Sequence, residues 1–107
     1  MKLNRYSSVA HATEALRKRG FKDEFKLQGK MRMRNLNNKK AYAAKDMYII
    51  EYHRFEGMSN PSDMSIVFAV ETNDGRKGII ISSYGMYANM ELVEFLDKVK
   101  VKERATA

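Results

Sequence analysis

The chain has no cysteine, no tryptophan and a single proline, Pro61. Without cysteine there can be no disulfide, no thiolate metal site and no cysteine nucleophile. Only two histidines are present, and they fall on different predicted elements. Neither a metal nor a cofactor is therefore expected. Long hydrophobic runs are missing too, and none approaches the ~20 residues of a membrane span. The opening residues MKLNRYSSVAHA lack the apolar stretch of a signal peptide. These absences point to a cytoplasmic protein with no membrane partner.

What is present is enough for one core. A chain of 107 residues makes one domain, and at this size folding buries roughly 65% of the unfolded surface. Hydrophobic residues form 44% and charged residues 31%, a globular balance. The net charge of +7 is unevenly spread: residues 17–45 hold 11 of the 20 Lys and Arg but only 2 of the 13 acidic residues. The rest of the chain is slightly acidic. This asymmetry suggests an anionic partner, while a solvated basic surface is the plainer alternative.

The stretch MSIVFAVETNDGRKGIIISS, residues 64–83, carries the strongest folding signal. Two runs rich in β-branched residues flank Asn73-Asp74-Gly75, as in a hairpin. With Asp74 and Gly75 as the turn, Val70 would face Ile79 and Phe68 would face Ile81. Ile66, Phe68, Val70, Ile79 and Ile81 then form the core face. Val67, Ala69 and Ile80 would lie on the other face and need cover, which suggests a homodimer. Residues 8–19 read as a helix with Ser7 or Ser8 as N-cap, an apolar face of Val9, Ala12 and Leu16, and a stop at Gly20 and Phe21. Phe25 and Leu27 alternate with Lys26 and Gln28, and Met31 and Met33 with Arg32 and Arg34, as in two short strands joined near Gly29. Residues 36–40 read as a loop and 47–56 as a strand of ambiguous facing. Asn89 caps a helix over 90–99 whose apolar stripe is Leu92, Phe95, Leu96 and Val99, and residues 100–107 are expected to fray. The fold expected is α+β: an antiparallel sheet of four to five strands with both helices on one face.

Chemistry-bearing groups are sparse. Glu51 and His53 share a strand face, where the carboxylate could orient the imidazole for base catalysis. The plainer alternative is a half-buried histidine on a strand, with Arg54 and Glu56 as an ordinary ion pair, so an enzyme is the lesser reading. Arg54, Glu56, Tyr84 and Tyr87 are the candidates for contacting a ligand. Arg17, Lys18, Arg19, Arg32, Arg34, Lys39 and Lys40 are those for nucleic acid. No helix-turn-helix, zinc-finger or RNA-recognition fingerprint accompanies them, so binding would be phosphate-led and tolerant of sequence. The eight methionines read as adaptable filling.

LRKRGF at 16–21, YHRFEGMSNPSD at 52–63, NDGRKG at 73–78 and YGMYA at 84–88 together resemble a family of short, single-domain bacterial proteins. Some of its members carry the name phosphoribosylpyrophosphate synthetase. True synthetases are much longer two-domain enzymes with an acidic pair and a Gly/Thr-rich phosphate loop, and this chain has neither. The resemblance implies no activity and transfers no residue role. The function expected is that of a small binding or regulatory module, with nucleic-acid binding and an enzyme using Glu51 and His53 as the alternatives.

Overall fold

In the computed structural model, residues 6, 8–29, 31–55, 65–83 and 89–102 are described. The first helix, α1, spans Val9–Lys18, and its ends follow from the capping residues. The Ser8 side-chain oxygen accepts from the His11 N–H at 3.1 Å. At the other end Phe21 N–H donates to Leu16 O at 3.0 Å and Gly20 N–H to Arg17 O at 3.1 Å. Gly20 has φ +107. That pair of bonds is a Schellman closure, which needs the left-handed residue glycine provides. The second helix, α2, spans Met90–Asp97, with Asn89 accepting from the N–H groups of Glu91 and Leu92.

Among the described residues, seven strands form one mixed, curled sheet: β1 Asp23–Gln28, β2 Arg32–Asn35, β3 Ala41–Tyr42, β4 Met47–Phe55, β5 Ser65–Thr72, β6 Lys77–Ser83 and β7 Lys100–Val101. A short 3-10 turn at Ala44–Asp46 precedes β4. The order across the sheet is β3-β2-β1-β6-β5-β4-β7. The pairs β1–β6 and β4–β7 are parallel and the rest antiparallel. The expected antiparallel sheet of four to five strands is thus too small and wrong in direction at two joints. Both parallel joints involve only two residues per strand, a pairing too short to leave a pattern in sequence. β7 also carries the sheet into the segment expected to fray, with Lys102 N–H donating to Ile49 O at 2.8 Å. Among the described residues, no helix is long and apolar enough to cross a membrane.

The central hairpin forms, but one residue out of the expected register. Its loop has three residues, not two: Gly75 N–H donates to Thr72 O at 3.0 Å and Thr72 N–H to Arg76 O at 2.8 Å, with Gly75 at φ +90. This is a type I turn closed by a glycine bulge. Val70 therefore faces Gly78 and Phe68 faces Ile80. A one-residue slip sends alternate side chains to the opposite face. Ile79 moves to the far side of the sheet, Ile81 is left half exposed, and Phe68 is only partly buried.

The helices pack on opposite faces, not on one. α2 sends Phe95 and Leu96 onto Met33, Met47, Ile49, Val70 and Ile80. α1 places Ala12 and Leu16 over Ile50, Val67, Ala69 and Ile79. A sheet apolar on both faces needs cover on both, and each fully buried side chain of this size contributes roughly 1.5–3 kcal/mol. Val67 and Ala69 are fully buried and Ile80 nearly so within one copy. Val67, Ala69 and Ile80, whose shared face suggested a dimer, are thus divided between the two sides of the sheet and covered there. A bulge in β4 between Ile49 and Glu51 also explains that strand's ambiguous facing. Met47 and Ile49 face α2, and beyond the bulge Glu51, opposite Ala69, and His53, opposite Val67, face α1.

Candidate functional site

Glu51 and His53 do come together. His53 Nε2 lies 2.6 Å from Glu51 Oε2. α1 ends just above them, so Arg19 grips the same carboxylate with Nη1 to Oε2 at 2.9 Å and Nη2 to Oε1 at 2.5 Å. Arg19 Nη1 also donates to the Tyr6 hydroxyl at 3.3 Å. The Tyr6 ring sits edge-on to both His11 and His53, with centroids 5.3 and 4.8 Å away. The Arg19 hydrogen bonds hold the Glu51 carboxyl down to about 2, outweighing desolvation, with a smaller contribution from His53. Reciprocally, the Glu51 carboxylate pushes the Arg19 guanidinium further above its ordinary value. A carboxylate pinned this way is a weak base near neutral pH. The arrangement fastens α1 and Tyr6 onto β4. Among the described residues, no group of three or more His, Asp or Glu is placed to hold a metal ion.

The basic residues divide into two kinds. Arg17 pairs with Glu24 at 3.7 Å, Lys18 with Glu14 at 3.6 Å and Lys40 with Asp74 at 3.6 Å, and Arg19 is taken by Glu51. Lys39 is exposed in the β2–β3 loop at φ 68. Arg32 and Arg34 differ from these. Inward alternation puts Met33 and Asn35 in the core, so the two arginines project from the other face of β2. The register sets Lys26 opposite Arg34 and Gln28 opposite Arg32, which places all four side chains on one surface. None of the three cations on it makes an ion pair among the described residues. A shallow groove of about 190 Å³ runs along this surface, lined by Lys26, Leu27, Gln28, Arg34 and the exposed Leu36. Lys26 and Gln28 were not among the candidate residues, although their alternation with Phe25 and Leu27 was the signal for them.

This surface belongs to a ribbon of β1 and β2, edged by the two-residue β3, which pairs with β2 at Met33 and Arg34. β1 pairs with β6 only at Asp23 and Glu24, after which Phe25–Gln28 pair with β2 alone. Where the strands part, a second groove of about 240 Å³ opens, lined in part by Phe25, Leu27, Met33, Ile80 and Leu92. The ribbon is anchored by a polar cluster that the sequence did not reveal. Arg76 donates to Asp23 from Nε at 2.6 Å and from Nη2 at 3.0 Å. Asn35 Nδ2 donates to Asp23 Oδ2 at 2.7 Å, and Asn35 Oδ1 accepts from the Asn37 N–H at 2.8 Å. Alongside, the Tyr42 hydroxyl donates to Asp74 Oδ2 at 2.8 Å. Hydrogen bonds from Thr72 and then Tyr42 hold the Asp74 carboxyl below the usual carboxylate range. Asn35 is fully buried and Asp23 nearly so, so each donor and acceptor needs its partner.

Arg54 is exposed on β4, opposite Ile66 of β5. Glu56, Tyr84 and Tyr87 lie outside the described residues. Comparison of the chain with protein-family models, with curated proteins and with solved structures found no match. The motif resemblance noted above therefore assigns no family.

Proposed function

We propose that the protein is a small nucleic-acid-binding module that engages phosphates through the outer face of the β1–β2 ribbon. The observation that carries this reading is the open cationic surface of Lys26, Arg32 and Arg34. Among the described residues these three charges have no acidic partner, while Arg19 and Arg76 are engaged by carboxylates. Arg17, in the last turn of α1, lies on the same side of the sheet but is paired with Glu24, so the free charge is that of the ribbon. Releasing counterions from a polyanion is the favourable step such a surface offers.

The test is the salt dependence of binding. A labelled 20-mer single strand and the matching duplex are titrated at several salt concentrations. Each neutralised phosphate contributes a log–log slope of roughly −0.9 on duplex or −0.7 on single strands. Arg32→Ala with Arg34→Ala should lower that slope by up to ~2. Binding weaker than ~100 μM at physiological salt, the weak end of non-specific affinity, would reduce the patch to a solubility feature.

A further inference from the structure

Resting on that reading of the ribbon, we infer that β1–β2 enters the major groove of B-form DNA and reads base edges through Gln28, Lys26, Arg32 and Arg34. The major groove is ~12 Å wide and admits a two-stranded β-ribbon. Here the Gln28–Arg32 end of the ribbon is two strands wide: past Glu24 β1 parts from β6, β3 flanks β2 only at Met33 and Arg34, and the apolar face of α1 packs on β4, β5 and β6. Its inner face packs Phe25, Leu27 and Met33 toward the α2 core, leaving the outer face to a ligand.

The residue types on that face fit base recognition. Arginine and lysine pair with guanine O6 and N7, and glutamine pairs bidentately with adenine N6 and N7. Gln28 is the telling member. An uncharged amide adds nothing to phosphate attraction, yet it stands exposed opposite Arg32 at the outer end of the ribbon. Residues two apart on a strand are separated by ~6.7 Å, and base pairs rise by ~3.4 Å. The four side chains thus span about two to three base pairs. Among the described residues that face carries no aromatic side chain on which an unpaired base could stack, because Phe25 points the other way. That disfavours a single strand. A-form RNA is disfavoured as well, since its major groove is too deep and narrow for side chains to read.

The experiment compares a DNA duplex with an RNA duplex of the same sequence, and selects tight binders from a randomised DNA duplex library. The wild-type chain and Gln28→Ala are used, each checked by circular dichroism for an unchanged fold. The expected result is at least tenfold preference for DNA over RNA duplex and an enriched motif of two to three adjacent base pairs. Each mismatch should cost about tenfold. Gln28→Ala should erase the preference at one position and leave the salt slope unchanged, because no charge is lost. Equal affinity for the two duplexes, with a flat selection that Gln28→Ala does not alter, would overturn base reading while leaving phosphate-led binding standing. Failure to bind any nucleic acid would overturn both.

Discussion

Gly78→Ala separates what β6 would do alone from what it does beside β1. Gly78 has an ordinary φ, so alanine fits its backbone. Judged on the strand alone, the change should stabilise the protein by about 0.4–1 kcal/mol, since alanine restricts the unfolded chain. The neighbouring strand reverses that sign. A methyl group at Gly78 would stand 2.3 Å from the Asp23 carbonyl oxygen and 2.5 Å from Phe25 Cε2. Ordinary contact begins at 3.4 Å, so β1 must withdraw by roughly 1 Å from a strand spacing of only ~4.8 Å. The joint it would strain consists of two residue pairs, Asp23 with Gly78 and Glu24 with Ile79. Overpacking alone costs about 1–3 kcal/mol, and displacing Phe25 from the core brings the expected loss to the upper end, about 3 kcal/mol. Urea denaturation followed by circular dichroism reads it directly. With a slope of about 1–3 kcal/mol/M, the midpoint should fall by about 1 M or more. A variant as stable as the wild type would show that β1 does not press on Gly78, and the ribbon's anchorage would need another account.

Asn35→Ala should destabilise the fold by about 2–3 kcal/mol, because it strips a buried site of a donor to Asp23 and an acceptor for the loop; a loss under ~0.5 kcal/mol in the same assay would mean that water replaces the amide. Glu51 should contribute stability that depends on pH. Its carboxyl is lowered from an ordinary 4.5 to about 2, so the contribution is present above pH 4.5 and disappears as pH falls through about 2. Glu51→Gln should therefore cost about 1 kcal/mol at pH 7, well below the full shift because Arg19 is partly in water, and nothing near pH 2. An equal loss at both pH values would point to packing instead of charge.

Much of this protein follows from its sequence alone, wherever the deciding interactions are local. Ser8, Gly20 and Phe21 bound α1 because capping bonds join residues three to five apart. Asn89 and the Leu92, Phe95, Leu96, Val99 stripe define α2 for the same reason. The alternation of Phe25 and Leu27 with Lys26 and Gln28 already places the cations on one face of a strand. Tertiary structure decided the rest, because the choices depend on groups far apart in the chain. Whether Asp74-Gly75 or Asn73–Gly75 makes the hairpin loop changes the local sequence signal little, yet it moves Ile79 and Ile80 to opposite sides of the sheet. The bulge at Ile50 turns Glu51 and His53 toward α1, where Arg19 can reach them. Which side each helix takes was equally hidden, since an amphipathic stripe specifies that a face is buried but not against what. The ribbon's open surface was legible only in half. Its charges could be read from residues 17–45, but which of them are taken was settled in part by the distant carboxylates of Glu51 and Asp74, which engage Arg19 and Lys40.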